Sequence, residues 1–192
     1  MYDIILTLVA TNTLIFGLEP IVKNPTGIPL TVVFFGLLYL WQALPEEMYQ
    51  FGFFQPGRFI ALLVSQDAVQ YVLHRAEHAL HLRSHAVHHA HRNPRARDAF
   101  DAGVVDAFVQ LLFPLFVVLH AVRPSRCTAV VFASLYALWL QFIHSDHPRA
   151  QCLRSRVWVV PAYHHLHHRR PNCNFSHVFV AFDWVGGTLA AA

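Results

Sequence analysis

Histidine is the residue type that stands out, with 15 in a chain that has only 11 acidic residues. In the first histidine cluster, Asp67, Tyr71, His74 and His78 are spaced so that they share one face of a helix. Neutral imidazole is a common metal ligand. Two imidazoles one helical turn apart can hold one metal, or one each of two neighbouring metals. The spacing therefore indicates metal binding.

Two further clusters repeat the pattern H-x-x-H-H. They are His85, His88 and His89, followed by His164, His167 and His168. The pair His144 and His147 lies between them. Clustered imidazoles beside apolar segments are costly unless something binds them. An isolated histidine is more often a surface or packing residue, and we interpret His120 and His177 in that way.

The ligand types indicate which metal chemistry to expect. A structural zinc site takes four ligands, commonly including Cys, whereas these ligands are all nitrogen and too numerous. They suit two metal centres with open positions, which on iron allow dioxygen to bind. The carboxylate pattern of soluble di-iron bundles is missing. Ligating imidazoles usually donate their other ring nitrogen to an acceptor, and our candidates for that role are Asp67, Asp146 and Asp183.

The composition predicts a membrane protein. Hydrophobic residues make up 55% and charged residues 13% of the chain, against about 25% charged in an ordinary soluble domain. The net charge of +3 comes with no basic domain, so we expect no nucleic-acid partner. We predict an all-α, multi-pass protein of about four to five helices under a histidine-lined di-metal cap. The apolar segments are 4–22, 28–44, 58–73, 104–122 and 127–143.

The connection between the last two apolar segments sets the predicted topology. Only Arg123 to Arg126 separate them, which forces a helical hairpin and brings all the histidine clusters to one face. Ten arginines lie on that side and two in the opposite turn, so the positive-inside rule makes the histidine face cytoplasmic. We treat 1–192 as one domain, with N-terminal membrane helices in 1–57 and the catalytic region in 58–192.

These motifs resemble the fatty acid hydroxylase/sterol desaturase superfamily, over roughly residues 60 to 190. The resemblance includes the tail from Asn174 to Thr188, although Ser176 stands where Gly is usual and Gly186 where an aromatic residue is common. It implies two non-haem irons on the cytoplasmic face. The implied ligands are His74, His78, His85, His88, His89, His164, His167 and His168, with His144 and His147 as additions. His81, His91 and His165 lie outside the pattern.

The resemblance also implies an activity, namely hydroxylation of an aliphatic C–H bond in a fatty acyl, sphingolipid or sterol substrate with dioxygen. Electrons would come from NAD(P)H through a separate b-type cytochrome, or a ferredoxin with its reductase, at the endoplasmic reticulum in a eukaryote. Tyr71, Trp139, Phe142 and Trp158 are candidates for lining the lipid site. Desaturation on the same site, a metal-binding or metal-transporting membrane protein, and an inactive relative stay open as alternatives.

Overall fold

The computed structural model describes residues 27–191. Within that range the chain is helical, and its extended segments meet only in an isolated antiparallel bridge between Trp158 and Phe179. The all-α prediction is confirmed for these residues. The membrane helix that we predict over 4–22 lies outside the described residues.

Between residues 27 and 191, eight α-helices follow one another, with short 3-10 turns at Glu46–Met48 and Ala96–Asp98. They are α1 Ile28–Leu40, α2 Pro56–Ala79, α3 Arg83–His89, α4 Val104–Val122, α5 Arg126–Ile143, α6 Pro148–Gln151, α7 Pro161–Arg169 and α8 Val180–Val185. Helix α4 contains one π-helical turn, Phe108–Leu112.

Two described helices, α4 and α5, are long and apolar enough to cross a membrane. Helix α1 has 13 residues and is about 20 Å long, shorter than the roughly 30 Å hydrocarbon core. The charge-free run 28–44 is therefore not one spanning helix. The chain leaves the helix at Trp41, and Gln42 takes a positive φ of 53°.

The predicted hairpin between α4 and α5 is present. Arg123 ends α4 in a left-handed conformation with φ 52°, and the Ser125 hydroxyl caps α5 by accepting from the Thr128 amide at 3.3 Å. Helix α2 packs against both arms of this hairpin. It extends past the apolar segment 58–73 as one helix, and its last two turns carry His74 and His78 towards the other histidine-bearing segments.

Candidate metal centre

Nine of the ten predicted histidine ligands converge in two groups, in each of which the ligand nitrogens lie within 4.8 Å of one another. The first group is His74, His78, His85, His89 and His167. The second group is His88, His144, His164 and His168. The first group draws on α2, α3 and α7, and the second on α3, α7 and the end of α5.

Helical geometry explains how the clusters divide between the groups. Residues four apart share a helix face, so a pair such as His74 and His78 enters the same group. Consecutive residues point about 100° apart, so the adjacent pair His88 and His89 separates, with ring centroids 5.8 Å apart. The pair in α7 separates in the same way. The two H-x-x-H-H motifs therefore bridge the groups and hold them side by side.

Backbone carbonyls fix the orientation of several rings. The Nδ1–H of His74 donates to the Phe175 carbonyl at 2.8 Å, and that of His144 donates to the Leu140 carbonyl at 2.6 Å. His167 makes the same kind of bond at 2.7 Å, to Cys173. Since a carbonyl only accepts, Nδ1 carries the proton in each ring. The Nε2 atom of each of these neutral rings then carries a lone pair that is directed at the other histidines.

Those lone pairs face each other at short range. The Nε2 atom of His144 lies 3.2 Å from that of His88, whose Nδ1 faces the Asp101 carbonyl at 3.2 Å. In the first group, Nε2 of His85 lies 3.1 Å from Nε2 of His74. Two neutral acceptors cannot hydrogen-bond each other, whereas a cation between them resolves the repulsion. The arrangement fits a metal that takes imidazole nitrogen, a class that includes iron and zinc.

Burial keeps these imidazoles in the form that binds metal. Loss of solvation, with neighbouring imidazoles second, holds the pKa of His164 and that of His167 well below the usual value. The same causes lower the pKa of His89 to about 2. A histidine must be neutral to ligate a metal, so the folded chain presents unprotonated ligands at neutral pH.

The structure does not bring His147 or Asp146 into the centre. His147 is exposed at the start of α6, where its Nδ1 accepts from the Arg149 amide at 3.2 Å. Asp146 is exposed too and lies 3.8 Å from Arg95 in an ion pair. Both residues follow the end of α5 at Ile143, so the side chains after His144 turn outward. The ligand prediction for His147 and the acceptor prediction for Asp146 are not met in this structure.

Asp67 and Asp183 act on the backbone of the 175–179 segment and not on an imidazole. Asp67 accepts from the amides of His177, Val178 and Phe179 at 2.6 to 3.1 Å. Asp183 accepts from the amides of Phe175 and Ser176 at 2.8 and 2.9 Å. The clamped segment places the Phe175 carbonyl against His74. Both carboxylates thus support the centre, one step further from the ligands than we predict.

The acidic partner of the candidate ligand His85 is Asp106, which our sequence reasoning missed. Its Oδ1 accepts from Nδ1 of His85 at 2.8 Å, and both side chains are buried. Glu77 lies 3.6 Å from the same nitrogen, and its carboxylate accepts a hydrogen bond from the side-chain amide of Gln110. Burial, with the charge of Asp106 second, raises the pKa of Glu77 to about 8. Asp106 was detectable, since an acidic residue in an apolar membrane segment is usually functional.

Three of the four predicted lipid-contact residues lie together. Trp139, Phe142 and Trp158 line one apolar groove of about 620 Å³, whose opposite wall includes Phe59 and Val178. Tyr71 lies elsewhere and packs the chain's tail. Its ring stacks on Phe182 at 6.2 Å and its hydroxyl lies 2.9 Å from that of Thr188.

The remaining histidines occupy varied positions. His165 is buried, and its Nε2 lies 3.2 Å from the carbonyl of His144. His91 pairs with Asp101 at 2.8 Å, and His120 and His81 are exposed. His177, which we expect to be a surface or packing residue, belongs to neither histidine group. It is buried, and with His74, His85, His88 and His144 it lines a cavity of about 60 Å³.

Comparison with known proteins agrees with this site. The family model described as fatty acid hydroxylase matches residues 59–188. The chain belongs to the fatty acid hydroxylase family. This match covers all nine converging histidines and the tail that Asp183 organises, and the family uses iron. Together with the two apolar helices, it indicates a membrane oxidoreductase and confirms the resemblance seen in the sequence.

Individual relatives of this fatty acid hydroxylase family member differ in their named reactions. The chain is 36% identical over 180 residues to an alternative squalene epoxidase of Phaeodactylum tricornutum, covering 90% of this chain and 52% of the relative. It is 26% identical over 159 residues to a putative Delta(7)-sterol-C5(6)-desaturase 2 of Arabidopsis thaliana, covering 78% and 54%. The chain spans about half the length of these two relatives. No solved structure matches it.

Proposed function

We propose that the chain is a lipid oxygenase that holds one iron in each histidine group and hydroxylates an aliphatic C–H bond with dioxygen. The observation that carries this proposal is the convergence of nine imidazoles into two adjacent groups, in which the Nε2 lone pairs of His88 and His144 face each other. Iron held there would supply dioxygen activation and oxidation of an unactivated carbon. The protein's part is to hold the ligands neutral and in place, and to bring an apolar chain to them.

Two related reactions have support from the relatives. Desaturation on the same site is favoured by the sterol desaturases of Arabidopsis thaliana and Nicotiana tabacum. Oxygen insertion into an isoprenoid double bond is favoured by the squalene epoxidase of Phaeodactylum tricornutum. The groove lined by Trp139, Phe142 and Trp158 is apolar, and it suits the hydrocarbon part of any of these substrates.

Electron supply and orientation follow from surface charge in this proposal. The arginines that surround the histidine face are exposed. They are Arg75, Arg83, Arg92, Arg95, Arg97, Arg149, Arg154, Arg156, Arg169 and Arg170. A face of this kind favours a cytoplasmic orientation and an acidic donor protein. We propose a b-type cytochrome, or a ferredoxin with its reductase, that passes electrons from NAD(P)H.

The proposal is tested first by metal content and then by product. Wild-type protein purified in detergent and reconstituted anaerobically with ferrous ion is expected to hold about two irons per chain. The variants His88→Ala and His167→Ala each remove a ligand from a different group, so each should lose iron, and together they should abolish it. His147→Ala is the matched control, because that histidine lies outside both groups.

Loaded protein is then incubated with a chemical reductant, labelled dioxygen and three lipids, namely a fatty acyl ester, a sterol and squalene. A labelled alcohol supports hydroxylation, a labelled epoxide supports insertion into an alkene, and an unlabelled new double bond supports desaturation. A chain that holds iron but converts none of these lipids would contradict the oxygenase proposal. Iron flux across vesicles in that case would favour the transporter alternative.

A further inference from the structure

A small cavity touches both histidine groups. Its wall includes His74 and His85 from the first group and His88 and His144 from the second. The rest of the wall includes the apolar Phe100 and Leu140 and the polar Gln70, Gln110 and Asp106. The volume of about 60 Å³ suits a ligand of two or three heavy atoms, since a water occupies about 30 Å³ in the liquid. It is too small for the body of a lipid.

His177 is the fifth imidazole in this wall and belongs to neither metal group. Its ring centroid lies 5.0 Å from that of His74 and 5.7 Å from that of His164, so it sits beside both groups. The side chain is 8% exposed, and its Nδ1 is buried without a hydrogen-bond partner among residues 27–191. A buried polar atom left without a hydrogen-bond partner is costly. This cost points to a ligand that forms a hydrogen bond with the ring.

The backbone of His177 is fixed from two helices. Its amide donates to Asp67 of α2 at 2.8 Å, and its carbonyl accepts from the Trp139 indole of α5 at 2.7 Å. The ring is therefore held in place against the cavity. A group pre-positioned in a water-poor site interacts strongly with a ligand because little reorganisation is needed.

We infer that His177 donates a hydrogen bond to a small acceptor ligand, of the dioxygen or azide class, bound in the cavity between the two metal groups. The inference rests on the proposed function, since it assumes that the groups hold iron. A neutral imidazole always carries one N–H, and among residues 27–191 no group pairs with Nδ1 of His177.

Azide is the probe, and the readout is its dissociation constant for the iron-loaded protein, measured by the change in absorbance. His177→Phe keeps a ring but removes the donor, and should raise the azide dissociation constant about tenfold without changing the iron content. His177→Gln retains an N–H donor and should stay within about threefold of wild type. His120→Phe removes an exposed histidine outside the centre and serves as the control.

The outcomes separate this inference from the proposed function. An unchanged azide dissociation constant in His177→Phe would overturn the inference, and so would the absence of azide binding to the wild type. Loss of iron in both His177 variants would make His177 a metal ligand and would also overturn it. If azide binding responds as expected but no lipid is oxidised, the inference stands and the oxygenase proposal fails.

Discussion

At the residue scale, the orientation of an imidazole depends on the atom that accepts a hydrogen bond from its Nδ1–H. Backbone carbonyls accept this hydrogen bond from His74, His144 and His167, whereas a carboxylate accepts it from His85. A carboxylate acceptor fixes the tautomer and makes the opposite nitrogen a stronger ligand. Asp106 is therefore well placed to influence the first group through His85.

This position gives a sharp prediction for Asp106→Asn. The amide keeps the volume of the side chain but removes the charge, and it can present its N–H₂ to His85. We expect iron affinity to fall by about ten- to a hundredfold, measured by competition with a chelator. Asp146→Asn is the matched control because Asp146 is exposed. Equal affinities of Asp106→Asn and the wild type would show that the His85–Asp106 contact does not orient the ligand.

At the element scale, the π-helical turn of α4 places a polar residue inside an apolar helix. The backbone carbonyl of Gln110 accepts a hydrogen bond from the side-chain amide of Gln70 in α2. The side-chain amide of Gln110 donates a hydrogen bond to Glu77. Such turns occur frequently at functional sites. Here the turn links a membrane-type helix to the carboxylates next to His85, so the apolar hairpin and the metal centre are coupled through specific hydrogen bonds.

The tail packs closely against α2 at Gly186. Gly186 stands where an aromatic residue is common, and a Cβ at this position would overlap the hydroxyl of Tyr71. Tyr71 therefore occupies the space that a side chain at 186 would need. A side chain at 186 would therefore require Tyr71 to move.

We accordingly expect Gly186→Ala to destabilise the folded protein by about 1–3 kcal/mol, the usual cost of overpacking. The measurement is the thermal midpoint in detergent. Adding Tyr71→Phe removes the overlapping hydroxyl and should recover part of the loss. Gly57→Ala is the control, because a Cβ there meets nothing within 4 Å. If the double variant is as unstable as Gly186→Ala alone, the overlap with the hydroxyl is not the cause.

At the scale of the whole molecule, buried histidines make the stability of the metal-free protein depend on pH. Burial lowers the pKa of His89 to about 2 and that of His177 to about 3, against about 6.5 in an unfolded chain. Between these values the unfolded state binds more protons than the folded state. The contribution of these histidines is therefore largest above pH 7 and falls as the pH drops through 6.5. Glu77, whose pKa is raised to about 8, acts in the opposite direction, but it is one group against several buried histidines.

The measurement is the thermal midpoint of metal-free protein in detergent between pH 8 and pH 4. We expect a steady fall that begins near pH 6.5. Iron-loaded protein should begin to fall at a lower pH, because metal bound to the folded state stabilises it. A midpoint of the metal-free form that stays constant down to pH 4 would mean that these imidazoles are solvated and not buried.

Much of this protein is determined locally by its sequence. The spacing of four along a helix places His74 beside His78, and adjacent histidines separate because consecutive helical side chains point about 100° apart. The hairpin follows from the short connection between two apolar runs. Nine of the ten histidines in our predicted ligand set meet in the structure for these reasons, and the motif spacing alone was enough to recognise the family.

Only the tertiary structure decided which residues surround those ligands. His177 lies 103 positions after His74 in the sequence, yet their rings stack at 5.0 Å, and Asp106 meets His85 across two helices. Asp146 and His147 have suitable types and spacing, but the chain turns outward after α5 and exposes them. Helical periodicity governs neighbours within a turn or two, whereas contacts between segments depend on how helices pack, which no local pattern records.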